Sequence, residues 1–567
     1  MVDVLEDEVA NTLILSGGDN YIPGPFFNTA ADFSMGGILT EAYTTYYTEV
    51  LGLSLDDVTL DLGRGAGRVD VSIMNFIGFD ASAVGNHEFD AGTSAFADII
   101  GAANDEDDGV AFVDWVGASF PYLSANLDFS GDDALGGLFT DQLLPGAAFD
   151  ESPAEIQAGD TTPDLAPATI LEQGGARIGV IGATTQRVEL ISSTGGVEET
   201  TTGGREDMAA LAAVIQPQID RLVAEGVDKI ILTSHLQQIA LEKELAGLLD
   251  GVDVILAGGS NTLQADDTDA LREGDTADET YPALAEDAAG NPVAIVSTDG
   301  EYSYIGRLVV EFDDNGVINP ASIDAAVSGA YATDAAGVAA LAAPVLGATG
   351  VETSEAQEVA DVPDGPATGS FDVYVDGDVL VVTGTFSGLS SDLQDVSEEG
   401  VDPEGNPIDA IHIHQAAAGA NGPVIRALDV SDNGDGSGRY AGRFALTEDE
   451  LAALNAGELY VNIHTADFPA GELRGQLPGA DGLAETAPSA EAAVLLSPTA
   501  ALVADLTDAV ADIVEAADQV LFGAHSVFLD GRRSEVRTEE TNLGNLTADA
   551  NLATARAIDE TVQVSFK

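Results

Sequence analysis

Six consecutive residues, Gly85-Asn86-His87-Glu88-Phe89-Asp90, bring an amide, an imidazole and carboxylates together immediately after a short apolar run. Asn86 can offer its side-chain oxygen to a metal ion. His87 can donate a proton, and Asp90 is spaced to orient the His87 ring. Upstream, Ile73 to Val84 reads as a helix end, a turn and a short strand. The hexapeptide therefore falls on a loop at the carboxyl end of a strand, where α/β proteins place their sites.

Three further segments have the same layout. Leu13-Ile14-Leu15-Ser16-Gly17-Gly18-Asp19-Asn20 is an apolar run that delivers one carboxylate through a glycine pair, and Asp19 is a candidate metal-bridging ligand. Lys229-Ile230-Ile231-Leu232-Thr233-Ser234-His235 ends on an imidazole and precedes an amphipathic segment from Ile239 to Leu249. Val252 to Asn261 supplies a fourth strand and a glycine-rich turn. Singly each is more readily ordinary strand-end chemistry than a ligand, but four in this order are much harder to dismiss.

These blocks resemble the 5′-nucleotidase branch of the calcineurin-like metallophosphoesterases, over about residues 10 to 320. The resemblance implies an α/β four-layer sandwich of two mixed sheets flanked by helices. It further implies that Asp19 bridges two divalent metal ions, that Asn86, His235 and the turn residue Asn261 are metal ligands, and that His87 and Asp90 form the catalytic dyad. In such a site two cations activate a shared water for in-line attack on phosphorus, and the implied substrate is a small phosphate ester, a nucleotide. Two positions depart from the family pattern. Gly259 stands where the turn usually carries an imidazole, and the family's opening Asp-x-His has no counterpart in the 18 residues before Asp19. Met1 to Glu8 reads instead as part of the helix after that strand, so the expectation is a domain whose first strand is missing. Near the other end, Gly531 to Ala550 resembles the opening of the family's α/β C-terminal domain, which the chain leaves at Lys567. Arg532, Arg533 and Arg537 there read as a solvated hairpin balancing nearby glutamates, with phosphate binding as the alternative.

Composition narrows the partners. The 567 residues carry 98 Asp and Glu against 19 Lys and Arg, a formal net charge of −79. Such a field repels polyanions, which excludes nucleic-acid polymers and anionic membranes. It also calls for screening, and a high-salt or calcium-rich extracellular setting provides it. With no cysteine, there is neither a disulfide nor a thiolate ligand, and metals must be held by oxygen and imidazole. No run of 18 apolar residues marks a transmembrane segment. A secreted, periplasmic or cell-surface location is expected, although the chain shows no signal sequence.

Residues 1–325 are thus expected to form the phosphoesterase domain, 326–366 a helix and linker, 367–479 an inserted domain, 480–514 a linker and helix, and 515–567 the start of the C-terminal domain. The insert alternates polar and apolar residues in short runs and reads as an all-β sandwich. Its segments Ile411-His412-Ile413-His414-Gln415, Asn421 to Ile425, Leu459 to Thr465 and Gly471 to Leu477 resemble the chordin-type CHRD domain, whose partner the sequence does not identify. Period 2 puts His412 and His414 on one face of their strand, and Tyr460, Asn462 and His464 on one face of theirs. The three imidazoles read either as a second metal site or as a hydrogen-bonded structural cluster. Asp432-Asn433-Gly434-Asp435-Gly436 lacks the closing Glu of a calcium loop and reads as a hairpin turn.

Two functions compete. One is a metal-dependent phosphoester hydrolase of the 5′-nucleotidase kind, which the group Asn86, His87, Asp90 and His235 favours. The other is a non-catalytic extracellular binding or matrix protein on a degenerate scaffold, which Gly259 and the absent Asp-x-His favour.

Overall fold

The computed structural model describes residues 1–518 except positions 10, 108, 161, 203–204, 361, 395–402 and 404–407. Contacts divide the chain into two units, Met1–Ala511 and Asp512–Lys567. The expected C-terminal domain, with Arg532, Arg533 and Arg537, lies outside the described residues apart from the end of the helix Pro498–Asp518.

The first part of unit 1 is built on two sheets. The smaller is parallel throughout and runs in the order Leu15–Ser16, Ala81–Ala83, Tyr122–Leu123, Leu165–Ala166. The larger is mixed and has seven strands, with Ala176–Thr184, Ile230–His235, Val254–Gly258 and Pro292–Val296 adjacent and parallel at its centre. Its central strands are nearly continuous apolar runs because both faces are covered. Ala81, Leu123, Ala166, Leu171, Ile178 and Val180 fill the space between the sheets. Outside the larger sheet lie Met208–Ala224 and Ile239–Ala246. The first of these helices presents Met208, Leu211, Ala212, Ile215, Ile219 and Leu222 at helical spacing to Ile230, Leu232 and Ile255. Its start is fixed by Asp207, whose carboxylate accepts the Ala210 N–H at 3.0 Å. On the other side, Phe96 of the helix Thr93–Ile100 packs edge-on against Tyr122 of the small sheet.

Where the sheets meet, backbone touches backbone. A Cβ on Gly182 would lie 1.9 Å from the Leu123 carbonyl oxygen, so only glycine allows this approach. Register then sets Thr184, His235 and Gly258 side by side at the carboxyl edge of the large sheet. The Thr233 and Thr184 hydroxyls donate across the interface to the Ser16 and Val84 carbonyls, both at 2.7 Å. The loops carrying Asp19 and Asn86, which follow those carbonyls, are thereby pinned above that edge.

The second part of unit 1 is an antiparallel sandwich. Its six-stranded sheet runs Asp429–Asp432, Gly438–Ala445, Val379–Ser387, Thr368–Asp376, Val345–Thr353, Ala484–Thr486. Its four-stranded sheet runs Val424–Ala427, Ile411–Gln415, Leu459–Ile463, Leu473–Gln476. Phe371, Val373, Leu380, Ile411, Ile413, Val461 and Leu473 form the shared core. The strands extend beyond 367–479 on both sides. Val345–Thr353 falls in the segment expected to be helix and linker, yet it pairs along Thr368–Asp376 with one register shift. Two glycines and few apolar residues give Val345–Thr353 the composition of a linker, and the neighbouring strand supplies its β order. At the expected hairpin, Asp432 accepts the Gly434 N–H at 2.9 Å and Asp435 accepts the Ser437 N–H at 3.1 Å, and the strands on either side pair directly.

Candidate functional site

Asp19 is the centre of the first cluster. It sits in the left-handed region at φ 59°, just past the small-sheet strand Leu15–Ser16. Its Oδ1 accepts the His87 N–H at 2.8 Å, while its Oδ2 lies 2.9 Å from His235 Nε2 and 3.9 Å from His87 Nε2. His235 is 1% exposed, and its Nδ1 is tied to the Gly17 carbonyl at 2.7 Å. Asp19 and His235 thus form an ion pair. At this separation the carboxylate and the imidazole are close enough to be ligands of one cation. Burial works against the charge of both groups. Their proximity outweighs it, holding the Asp19 carboxyl below the ordinary carboxylate range and raising His235.

His87 and Asp90 occupy one short turn, and His87 Nδ1 meets Asp90 Oδ2 at 2.5 Å. The other Asp90 oxygen accepts the Ser192 hydroxyl at 3.1 Å, which fixes the carboxylate from outside the motif. Asn86 is buried, and its Oδ1 accepts Gln237 Nε2 at 2.5 Å. Gln237 has φ 75°.

The structure thus gathers Asp19, Asn86, His87, Asp90 and His235. Asn261 lies two residues past Gly259 at φ 50°, with its amide oxygen where a Cβ on Gly300 would come within 2.8 Å. Among the described residues, the hydrogen bonds and ion pairs joining Asp19, His87 and His235 do not include Asn261. At Gly259, φ is +79° and a Cβ would fall 2.6 Å from His235 Nε2. A side chain there would meet the His235 ring, so glycine leaves room beside it.

Three participants were not legible as such in the sequence. Glu88 is 1% exposed and accepts the Gly85, Asp19 and Asn20 N–H groups at 2.7, 3.1 and 2.8 Å, clamping the two site loops together. Burial, with the Asp19 charge beside it, pushes the Glu88 carboxyl up to about 7. Its place inside the hexapeptide was the available signal. Gln237 and Ser192 reach the site from loops that give no such signal.

The second cluster lies in the sandwich. His412 and His414 project from Ile411–Gln415 on the face opposite the core residues Ile411 and Ile413. His464 follows Leu459–Ile463, its N–H bonded to the Ala410 carbonyl at 2.9 Å. The rings stand 4.5 Å apart for His412 and His464, 4.6 Å for His412 and His414, and 5.8 Å for His414 and His464. Burial, reinforced by the neighbouring rings, lowers His412 to about 3, and burial lowers His414 to about 4, so both are neutral at physiological pH.

The first part of unit 1 is thus an α/β sandwich of two sheets, and the second an antiparallel β-sandwich. Residues 349–477 match the CHRD domain. The chain is also similar to curated 5′-nucleotidases. That of Mus musculus is 29% identical over 43% of this chain and 34% of its own length, and the probable 5′-nucleotidase of Treponema pallidum is 30% identical over 45% of this chain and 35% of its own. The chain therefore spans about a third of the length of these relatives. Among solved structures, the Haemophilus influenzae NAD nucleotidase matches with a TM-score of 0.37 and 22% identity, over 57% of this chain and 42% of that one. The chain is thus similar to 5′-nucleotidases over less than half of its length and matches the CHRD domain over residues 349–477.

Proposed function

We propose that the α/β part hydrolyses a phosphate monoester of the nucleotide class, using a divalent metal held by Asp19, Asn86 and His235 and the proton-handling pair His87 and Asp90. The observation that carries this reading is the position of Asp19, 2.9 Å from the buried His235 Nε2 and 3.9 Å from His87 Nε2. A carboxylate, an imidazole and an amide oxygen suit a divalent cation of the zinc or manganese type. When bound, such an ion polarises the phosphoryl oxygen and lowers the pKa of water. Asp19 is also the group a second ion would share, so a two-ion centre belongs to the same proposal. Asp90 holds the His87 ring through Nδ1, which presents Nε2 to the substrate side as the group that protonates the leaving oxygen. Glu88 keeps the Asp19 and Asn86 loops in register without facing the substrate. A location outside the cytoplasm is proposed with this function, and the acidic, cysteine-free composition supports it.

A second reading, a scaffold that no longer catalyses, draws support from Gly259 and from the engagement of Asn86 by Gln237. Phosphate release separates the two. The full chain is expected to liberate phosphate from a nucleoside 5′-monophosphate when given Mn, Co, Zn, Mg or Ca, and to stop when a chelator is added. No release from nucleotide or aryl phosphate with any of the five cations would select the scaffold reading.

A further inference from the structure

His412, His414 and His464 account for three of the six histidines in the chain, and they lie in the sandwich rather than beside Asp19. One ring nitrogen of each lies within 4.8 Å of those of the other two, and all three residues are buried. Each Nδ1 faces a backbone carbonyl: Asp409 at 2.7 Å for His412, Gly422 at 2.9 Å for His414, and Pro469 at 3.1 Å for His464. Metal-ligating histidines use this arrangement, in which a bond from one ring nitrogen to a carbonyl sets the tautomer and leaves Nε2 with a lone pair to give.

A hydrogen-bonded structural cluster would need donors for these lone pairs. His412 Nε2 and His414 Nε2 have no hydrogen-bond partner, although both are buried. Leaving a buried polar atom unsatisfied is costly, and a shared cation is the simplest group that satisfies both lone pairs at once. The surroundings are built to hold the rings. Tyr460 stacks on His414 with centroids 4.8 Å apart and planes 6° from parallel, and the buried Arg474 guanidinium lies 3.4 Å over Tyr460. Arg474 is in turn fixed by the Ala420 carbonyl at 2.9 Å and by Gln476 at 3.1 Å.

We propose that His412, His414 and His464 form a transition-metal site of the copper or zinc class, independent of the phosphoesterase centre. Among the described residues the donor set is three imidazole nitrogens, with no carboxylate or thiolate among them. Such a set discriminates against calcium and magnesium, which require oxygen ligands, and favours copper and zinc. Tetrahedral ligation at about 2.0–2.1 Å brings nitrogens to roughly 3.3 Å of one another, so the three rings close in from their present spacing, within 4.8 Å, when the ion binds. The site would thus remain selective on a protein whose carboxylates offer oxygen everywhere else.

The test uses the chelator-treated full chain carrying Asp19→Asn and His235→Gln, so that the first site does not compete, in millimolar magnesium to occupy surface carboxylates. Substoichiometric Cu(II) is expected to give an electron paramagnetic resonance spectrum with splitting from several imidazole nitrogens, and this is lost when His412→Gln and His464→Gln are added. In the zinc arm, equilibrium dialysis is expected to show one zinc per chain fewer after the same additions. Copper with an oxygen-only first shell by X-ray absorption, in the chain that keeps all three histidines, overturns the proposal whether or not the histidine variants fold. Equal copper spectra and equal zinc content with and without the histidines overturn it as well.

Discussion

At the scale of single residues, the first site is a competition for lone pairs. Asn86 Oδ1 is occupied by Gln237, whose own backbone is held at φ 75°. Replacing Gln237 with glycine relieves that conformation and releases the amide oxygen. A net hydrogen bond is worth about 0.5–1.5 kcal/mol, so Gln237→Gly is expected to tighten divalent-metal binding by roughly two- to tenfold. Isothermal titration with Mn or Zn measures this, and unchanged or weaker binding would remove Asn86 from the ligand set. The hexapeptide identified this neighbourhood in advance because its groups are contiguous. Gln237 was not legible, since its role depends on a left-handed backbone two residues after His235, which a sequence pattern does not encode.

At the scale of elements, the site depends on two sheets brought within backbone contact. Gly182 stands where a Cβ would lie 1.9 Å from the Leu123 carbonyl oxygen and 2.1 Å from its carbon. Neither atom can yield as a side chain would, so Gly182→Ala must separate the sheets. Overpacking of this kind costs typically about 1–3 kcal/mol, and backbone contact puts the variant at the upper end. Urea unfolding should show that loss; a midpoint equal to wild type would mean that the sheets can slide without cost. The strands Ile230–His235 and Val254–Gly258 were readable because buried parallel strands are continuous apolar runs. Val345–Thr353 was hidden for the converse reason. Its residues Val345, Leu346 and Val351 are too sparse to make a pattern, and tertiary pairing decides its state.

At the scale of the whole molecule, charge and buried acids act in the same direction. Burial pushes the carboxyls of Asp70, Glu242, Asp253 and Glu358 up to about 7 and that of Asp150 up to about 6. Unfolded carboxyls titrate near about 4, so between about pH 4 and 7 the native chain holds protons that the unfolded chain has released. Their stabilising effect is full below about pH 4 and is lost as pH rises toward 7. Asp19, Asp132 and Asp287 are lowered instead, and their contribution is lost only at more acid pH. His412 and His414, lowered to about 3 and about 4, act the other way below about pH 6.5, but the five raised acids outnumber them, so the metal-free chain is expected to melt at a higher temperature near pH 5.5 than at pH 8. The formal −79 adds self-repulsion, which falls as salt shortens the Debye length from about 30 Å at 0.01 M to about 3 Å at 1 M. Calorimetry from 0.05 to 2 M salt should show a rising midpoint. A flat or falling midpoint would mean that the acidic surface is not adapted to screening.

In the proposed function the first site divides its labour, with Asp19 holding metal and His87 moving a proton. Bound-metal content and phosphate release, measured on the same preparations of wild type, His87→Ala and Asp19→Ala, test it most directly. His87→Ala is expected to keep its metal while turnover falls by roughly 10²–10⁴-fold, and Asp19→Ala to lose both. A His87→Ala protein stripped of metal, or an Asp19→Ala protein that keeps its full metal content, would contradict the account.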